Sequence, residues 1–155
     1  MSLRVARHPS ETAAFLVTRV LAYCLEFREG LAFGAGIATT DEPAVIARDL
    51  TGAVTAWIEV GAPEADRLHH GSRLAEYTAV YTHRDPGKVL ARWDGKRIHG
   101  REDIVLHAYD GAFVDDVAQR LERRNRLTVT VTERHLYVDF NGEALETQVT
   151  DHPLG

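Results

Sequence analysis

Glu59 is the residue whose type and setting first suggest chemistry. It stands in the run Ala53 to Val60, whose β-branched and aromatic residues read as a central strand closed by Gly61 and Pro63. A carboxylate in such an apolar strand is costly unless it is paired, hydrated or bound to a metal ion. Two explanations stand side by side: a functional acid, or the partner of a cation, for which Arg67 and Arg73 downstream are the candidates. The other acids say less by themselves. Asp49 opens Asp49-Leu50-Thr51-Gly52, where an Asp side chain commonly bonds nearby backbone amides of a turn. Glu11 follows Ser10 at a helix start, where an acid complements the dipole and Ser serves as a cap.

Several other patterns carry no chemistry. His69 and His70 are adjacent and diverge on a helix, so they lack the spacing of a zinc pair. Gly34-Ala35-Gly36 lacks the third glycine of a dinucleotide loop, and Ser72 lacks the glycines that flank a nucleophile elbow. Cys24, the sole cysteine, sits among apolar residues at helical spacing and reads as a small core residue. Basic residues gather at Arg67 to Arg73, at Arg84, Lys88 and Arg92, at Lys96 to Arg101, and at Arg120 to Arg126. Each cluster reads either as a solvated face or as a phosphate-binding surface; a net charge of −5 opposes broad attraction to nucleic acid but allows a local basic face.

The elements that must position these residues follow from the pattern. A chain of 155 residues, 45% hydrophobic and 26% charged, suits one domain with one core. The first residues contain Arg4, Arg7, Pro9 and Ser10 without an apolar stretch, which argues against a signal peptide; with no membrane-length run, the expected location is the cytoplasm. A first helix is expected from the Ser10 cap, with Phe15, Leu16, Val20, Leu21, Cys24, Leu25 and Phe27 on helical spacing and Gly30 as its stop. Leu31 to Ile37 reads as a strand and Thr39 to Pro43 as a loop. After the central strand come a polar helix over 64–76, a strand at Tyr77 to His83, a short helix at Lys88 to Trp93 and a strand at Ile104 to Tyr109. Val114, Val117, Ala118 and Leu121 mark another helix. Leu127 to Thr132 and Leu136 to Phe140 form a hairpin over Glu133 to His135, with a last strand at Leu145 to Val149. The fold class is α/β, a mixed sheet flanked by helices.

Several blocks in register resemble one family. Val5-Ala6-Arg7-His8-Pro9-Ser10-Glu11-Thr12, Asp41-Glu42-Pro43, Asp49-Leu50-Thr51-Gly52 and Trp57-Ile58-Glu59-Val60-Gly61-Ala62-Pro63 are similar to the signature blocks of YaeQ proteins, in the same order. The later helix and strands follow that family's layout. The resemblance implies a fold like that of the PD-(D/E)XK nucleases, in which acids on adjacent strands hold a divalent ion. The family opens with a further strand pair before the Arg7-His8-Pro9-Ser10-Glu11 block; Met1 falls almost on that block, so an exposed sheet edge is expected.

The implied chemistry is phosphodiester cleavage, with hard carboxylates holding Mg2+ or Mn2+ to polarise phosphate and activate water. Asp49 and Glu59 match the metal ligands and Glu11 an assisting acid. The signature lysine falls at Gly61, so His70, Arg67 or Arg73 would have to supply a cation from the next helix; Arg cannot take a proton there. Arg67, Arg73, Arg84 and Lys88 would contact nucleic acid. The competing expectation is a domain that keeps the fold and binds nucleic acid or protein without turnover.

Overall fold

Seven residues, Val54–Val60, form the strand on which the architecture turns. They are β3 of the computed structural model, which describes residues 5, 7–35 and 41–155. Alternation along β3 divides two faces: Ala56, Ile58 and Val60 join one apolar cluster, while Trp57 and Glu59 point to the other side. Both faces are buried, which is why the strand reads as an almost continuous apolar run.

Around it lies a six-stranded sheet in the order β1-β2-β3-β4-β5-β9. The strands are β1 Leu31–Phe33, β2 Val45–Arg48, β4 Tyr77–Thr82, β5 Val105–Ala108 and β9 Thr150–Pro153. β1, β2 and β3 run antiparallel, β3, β4 and β5 parallel, and β9 returns antiparallel to β5. The parallel steps need helical crossovers: α2 (Ala65–Leu74) joins β3 to β4, and α3 (Pro86–Arg92) lies between β4 and β5.

One face of this sheet carries α1 (Ala13–Leu25), α4 (Gly111–Gln119) and a second, antiparallel sheet, β6 (Leu127–Thr132), β7 (His135–Phe140) and β8 (Glu143–Gln148). Leu21, Ile58, Tyr81, Val114, Leu136 and Val138 fill the space between. Leu68, Val80, Val89, Trp93 and Leu106 pack the other face under α2 and α3. No helix among the described residues is long and apolar enough to cross a membrane.

Several expectations are corrected. The cap of α1 is Thr12, whose hydroxyl accepts from Phe15 N at 3.0 Å, because residues 8–11 close a turn of their own through Glu11 N to His8 O at 2.8 Å. The helix stops at Glu26, which caps it and leaves Phe27 exposed. β1 ends at Phe33, where Gly34 N bonds Ala44 O; the expected continuation to Ile37 and the start of the loop at Thr39 lie outside the described residues. β2 and β9 were not anticipated. The β6–β7 connection is a two-residue turn, Glu133 and Arg134, both at positive φ (49° and 67°), the hairpin geometry that matches strand twist.

Candidate functional site

Burial decides the state of Glu59. Its side chain is 3% exposed, and α2 brings Arg67 directly over it, with Arg67 Nε donating to Glu59 Oε2. Burial raises the carboxyl above its ordinary value. The Arg67 charge and hydrogen bond, the Ala44 N–H and the nearby Trp57 ring nitrogen pull it back toward the anion. The Trp57 N–H is close enough to favour the anion yet makes no hydrogen bond of proper geometry among the described residues. Arg67 also donates to the Glu42 carbonyl at 2.5 Å, so one guanidinium ties α2 to β3 and to the segment ahead of β2. Of the two cations foreseen, Arg67 supplies this bond; Arg73 is exposed in the last turn of α2.

Glu11 is also buried and also paired, on the other side of the same segment. Its Oε1 accepts from His8 N at 2.9 Å and from Arg19 Nη1 at 3.3 Å, whereas Oε2 has no partner among the described residues. Arg19, one helical turn and more into α1, donates from Nε to Ala44 O at 3.1 Å and from Nη2 to Gly34 O at 2.5 Å. The segment ahead of β2 is therefore shared: its Glu42 carbonyl serves Arg67 and its Ala44 carbonyl serves Arg19.

Asp49 lies elsewhere. β2 pairs antiparallel with β3 from Val45↔Ile58 to Arg48↔Val54, so Asp49 sits at the hairpin end beside the start of β3. Five residues of strand separate Val54 from Glu59, roughly 17 Å at about 3.3 Å per residue. Asp49 Oδ1 instead accepts from Thr51 N at 2.8 Å, Thr51 Oγ1 at 2.5 Å and Ala53 N at 3.1 Å, and the Thr51 bond leads the interactions that hold its carboxyl below the usual range. It closes the β2–β3 turn. The expected joint reach of Asp49 and Glu59 for one divalent ion is not met, and no group of three or more His, Cys, Asp or Glu side chains among the described residues is arranged to hold a metal. Asp49 and Glu59 as a pair do not fit a Mg2+ or Mn2+ site: one carboxylate is committed to Arg67 and the other is a strand length away.

The remaining expected residues divide between packing and surface. His70 is exposed and meets the Trp57 ring edge-on at 5.7 Å. Gly61 adopts φ +89°, and a Cβ there would lie 3.3 Å from Phe15 of α1, so a side chain at this position heads for α1 and not for Glu59. Arg84 follows β4 and Lys88 stands on α3, both exposed.

Two features were missed. The first is the segment 41–44: Asp41-Glu42-Pro43 was visible as a motif, and it is this stretch, not Asp49, that reaches the Glu59 side of the sheet, through the Glu42 carbonyl bonded to Arg67. The second is the joining of two basic clusters thirty residues apart. His99 N donates to His69 Nδ1 at 2.9 Å, and desolvation, then the charges of Arg97, Arg73 and His99, lower the His69 pKa. Only the docking of α2 beside the loop after α3 brings these residues together.

The same layout recurs in known proteins. The uncharacterized protein YaeQ of Escherichia coli (strain K12) is 35% identical over 150 residues, 96% of this chain and 83% of that protein; the YaeQ of Salmonella typhi is 33% identical over the same span. The crystal structure of YaeQ protein from Pseudomonas syringae matches with TM-score 0.83 at 31% identity, covering 97% of this chain and 85% of that one. YaeQ from Xanthomonas axonopodis pv. citri shares the fold, with TM-score 0.86 at 24% identity and coverage of 98% and 86%. A family model, YaeQ protein, matches residues 1–149, and with these relatives it makes the chain a member of the YaeQ family.

Proposed function

We propose that this YaeQ protein is a binding domain that retains a PD-(D/E)XK nuclease-like fold without metal-dependent cleavage, and that its partner is a polyanion such as nucleic acid. The observation that carries the first half is the buried pair of Glu59 and Arg67: the acid best suited to hold a metal ion is already neutralised. Asp49, occupied in its turn, adds no second ligand, and Gly61 stands where a nuclease would carry its lysine. Support for the polyanion comes from the convergence of Arg73, Arg97, His99 and His69 on one surface, where cations neutralise phosphates and release counterions.

The test has two arms. Single- and double-stranded DNA and RNA are incubated with the protein and Mg2+ or Mn2+, and binding of the same oligonucleotides is followed by anisotropy across a salt series. The expected result is no cleavage, with salt-dependent binding that weakens in Arg73→Ala and Arg97→Ala. Metal-dependent cleavage abolished by Glu59→Gln would establish the nuclease reading instead. Absence of binding at low salt would remove nucleic acid as the partner.

A further inference from the structure

Among the described residues, each sheet edge but one carries a device that blocks pairing with another strand. β1 is three residues long; β9 contains Asp151 and Pro153; β8 carries Glu143 and Glu146. β6 is the exception. Leu127-Thr128-Val129-Thr130-Val131-Thr132 has no charge, no proline and no glycine, and among the described residues only β7 pairs with it.

The hairpin turn fixes which groups of β6 face outward. A two-residue turn closes on a hydrogen-bonded pair, here Thr132↔His135, so the even-numbered residues direct their N–H and C=O to β7. The bond from Asn141 N to Arg126 O at 2.9 Å continues the same parity. The odd-numbered residues Leu127, Val129 and Val131 therefore present N–H and C=O to the open edge. Their side chains share the face of Leu136, Val138 and Phe140, the core side of β7, yet Leu127 and Val129 are only half-buried and Val131 is 41% exposed. The apolar face runs past the end of its cover.

We infer that a second copy of this chain pairs with β6, antiparallel about a two-fold axis through Val129. That register is the one that keeps every outward-facing residue inside the strand: Val129 meets Val129, and Leu127 meets Val131 on both sides, with three residues per copy each donating one backbone hydrogen bond. Leu127, Val129 and Val131 of both copies then form one apolar stripe on the core side, and Thr128 lies opposite Thr130 on the other. Charge suits the same arrangement. Arg124 and Arg126 precede the strand and Glu133 follows it, so antiparallel pairing sets the basic end of each copy beside the acid of the other. Arg134, the cation at that acidic end, is already paired with Asp151 at 2.5 Å.

Light scattering after size-exclusion chromatography across a wide dilution series tests the pairing, with hydrogen exchange read residue by residue. The expected mass at high concentration is twice the 17.2 kDa of the chain, and the amides of Leu127, Val129 and Val131 should slow with concentration while those of Thr128 and Thr130 do not change. Val131→Lys sets a charge in the stripe at an exposed position; Val129→Pro removes an outward N–H without touching the bonds to β7. Both should be monomers with the circular dichroism of the parent. A parent that is monomeric at every concentration, or a dimer that survives in both folded variants while the three parent amides exchange at a rate independent of concentration, would overturn the inference.

Discussion

Glu59→Gln separates a structural ion pair from a metal site by the sign of its effect. Gln keeps the volume and one acceptor oxygen, so no cavity forms, but the charge opposite Arg67 is lost. The Arg67 side chain is 18% exposed and Glu59 3%, so the guanidinium would remain largely out of water without the Glu59 charge. Removing one partner of a buried pair costs about 3–5 kcal/mol, and the partial exposure of Arg67 together with the acceptor that Gln retains favours the lower end, about 3 kcal/mol. For a chain of this length that is a fall in Tm of about 6–12 °C. Urea titration and calorimetry with and without Mg2+ give the reading, and Mg2+ should shift neither protein. The double variant Glu59→Met with Arg67→Met should regain most of the loss, because two apolar side chains need no pairing; the remainder includes the lost bond from Arg67 to the Glu42 carbonyl. A Gln variant as stable as the parent, from a parent that Mg2+ stabilises, would refute the reasoning, since relief of repulsion at an empty metal site has the opposite sign.

Other expectations follow from single contacts. In Asp49→Ala the β2–β3 turn loses three acceptor bonds; its Tm deficit should be full above the ordinary carboxylate range and close as pH falls through the lowered Asp49 value, because only the anion accepts all three, and a pH-independent deficit would contradict this. Gly71→Ala should cost about 1–3 kcal/mol in urea titration, since its Cβ would lie 2.3 Å from the Trp57 ring. Gly61→Lys, which restores the nuclease lysine in sequence, should give no cleavage and cost about 1–3 kcal/mol from the left-handed backbone alone. Tyr109→Phe removes a buried hydroxyl that has no hydrogen-bond partner among the described residues and should be neutral or stabilising by up to about 1 kcal/mol in thermal melts.

The frame of the fold was legible where periodicity ran long enough. β3, β4, β5, α2, α4 and the β6–β7 hairpin fall close to their expected places because alternation or helical spacing marks them. β2 escaped notice because four residues, Val45–Arg48, bounded by Pro43 and a turn, are too few to display a period. β9 did so because Asp151 and Pro153 argue against a strand, and they are tolerated only because it is an edge. Glu59 declared its need for a partner through the apolar residues around it, and Arg67 was one of two cations within reach. The place of Asp49 was not legible: it depends on how β2 pairs with β3, a contact between strands of which only one had been recognised. The meeting of His69 with His99 is hidden for the same reason, since no local pattern encodes the docking of a helix on a loop.

The sharing of residues 42–44 between two guanidinium groups has a consequence for how the molecule breathes. The Glu42 carbonyl is held by Arg67 of α2 and the Ala44 carbonyl by Arg19 of α1, so the segment cannot lift away from either helix without disturbing the opposite one. The parts of α1 and α2 nearest this segment thus open as one cooperative unit rather than as two independent frays. The Gly34 amide, which donates to the Ala44 carbonyl at 3.0 Å, should accordingly exchange with solvent at the rate of that joint opening. Weakening Arg19 on one side should speed it as effectively as weakening Arg67 on the other.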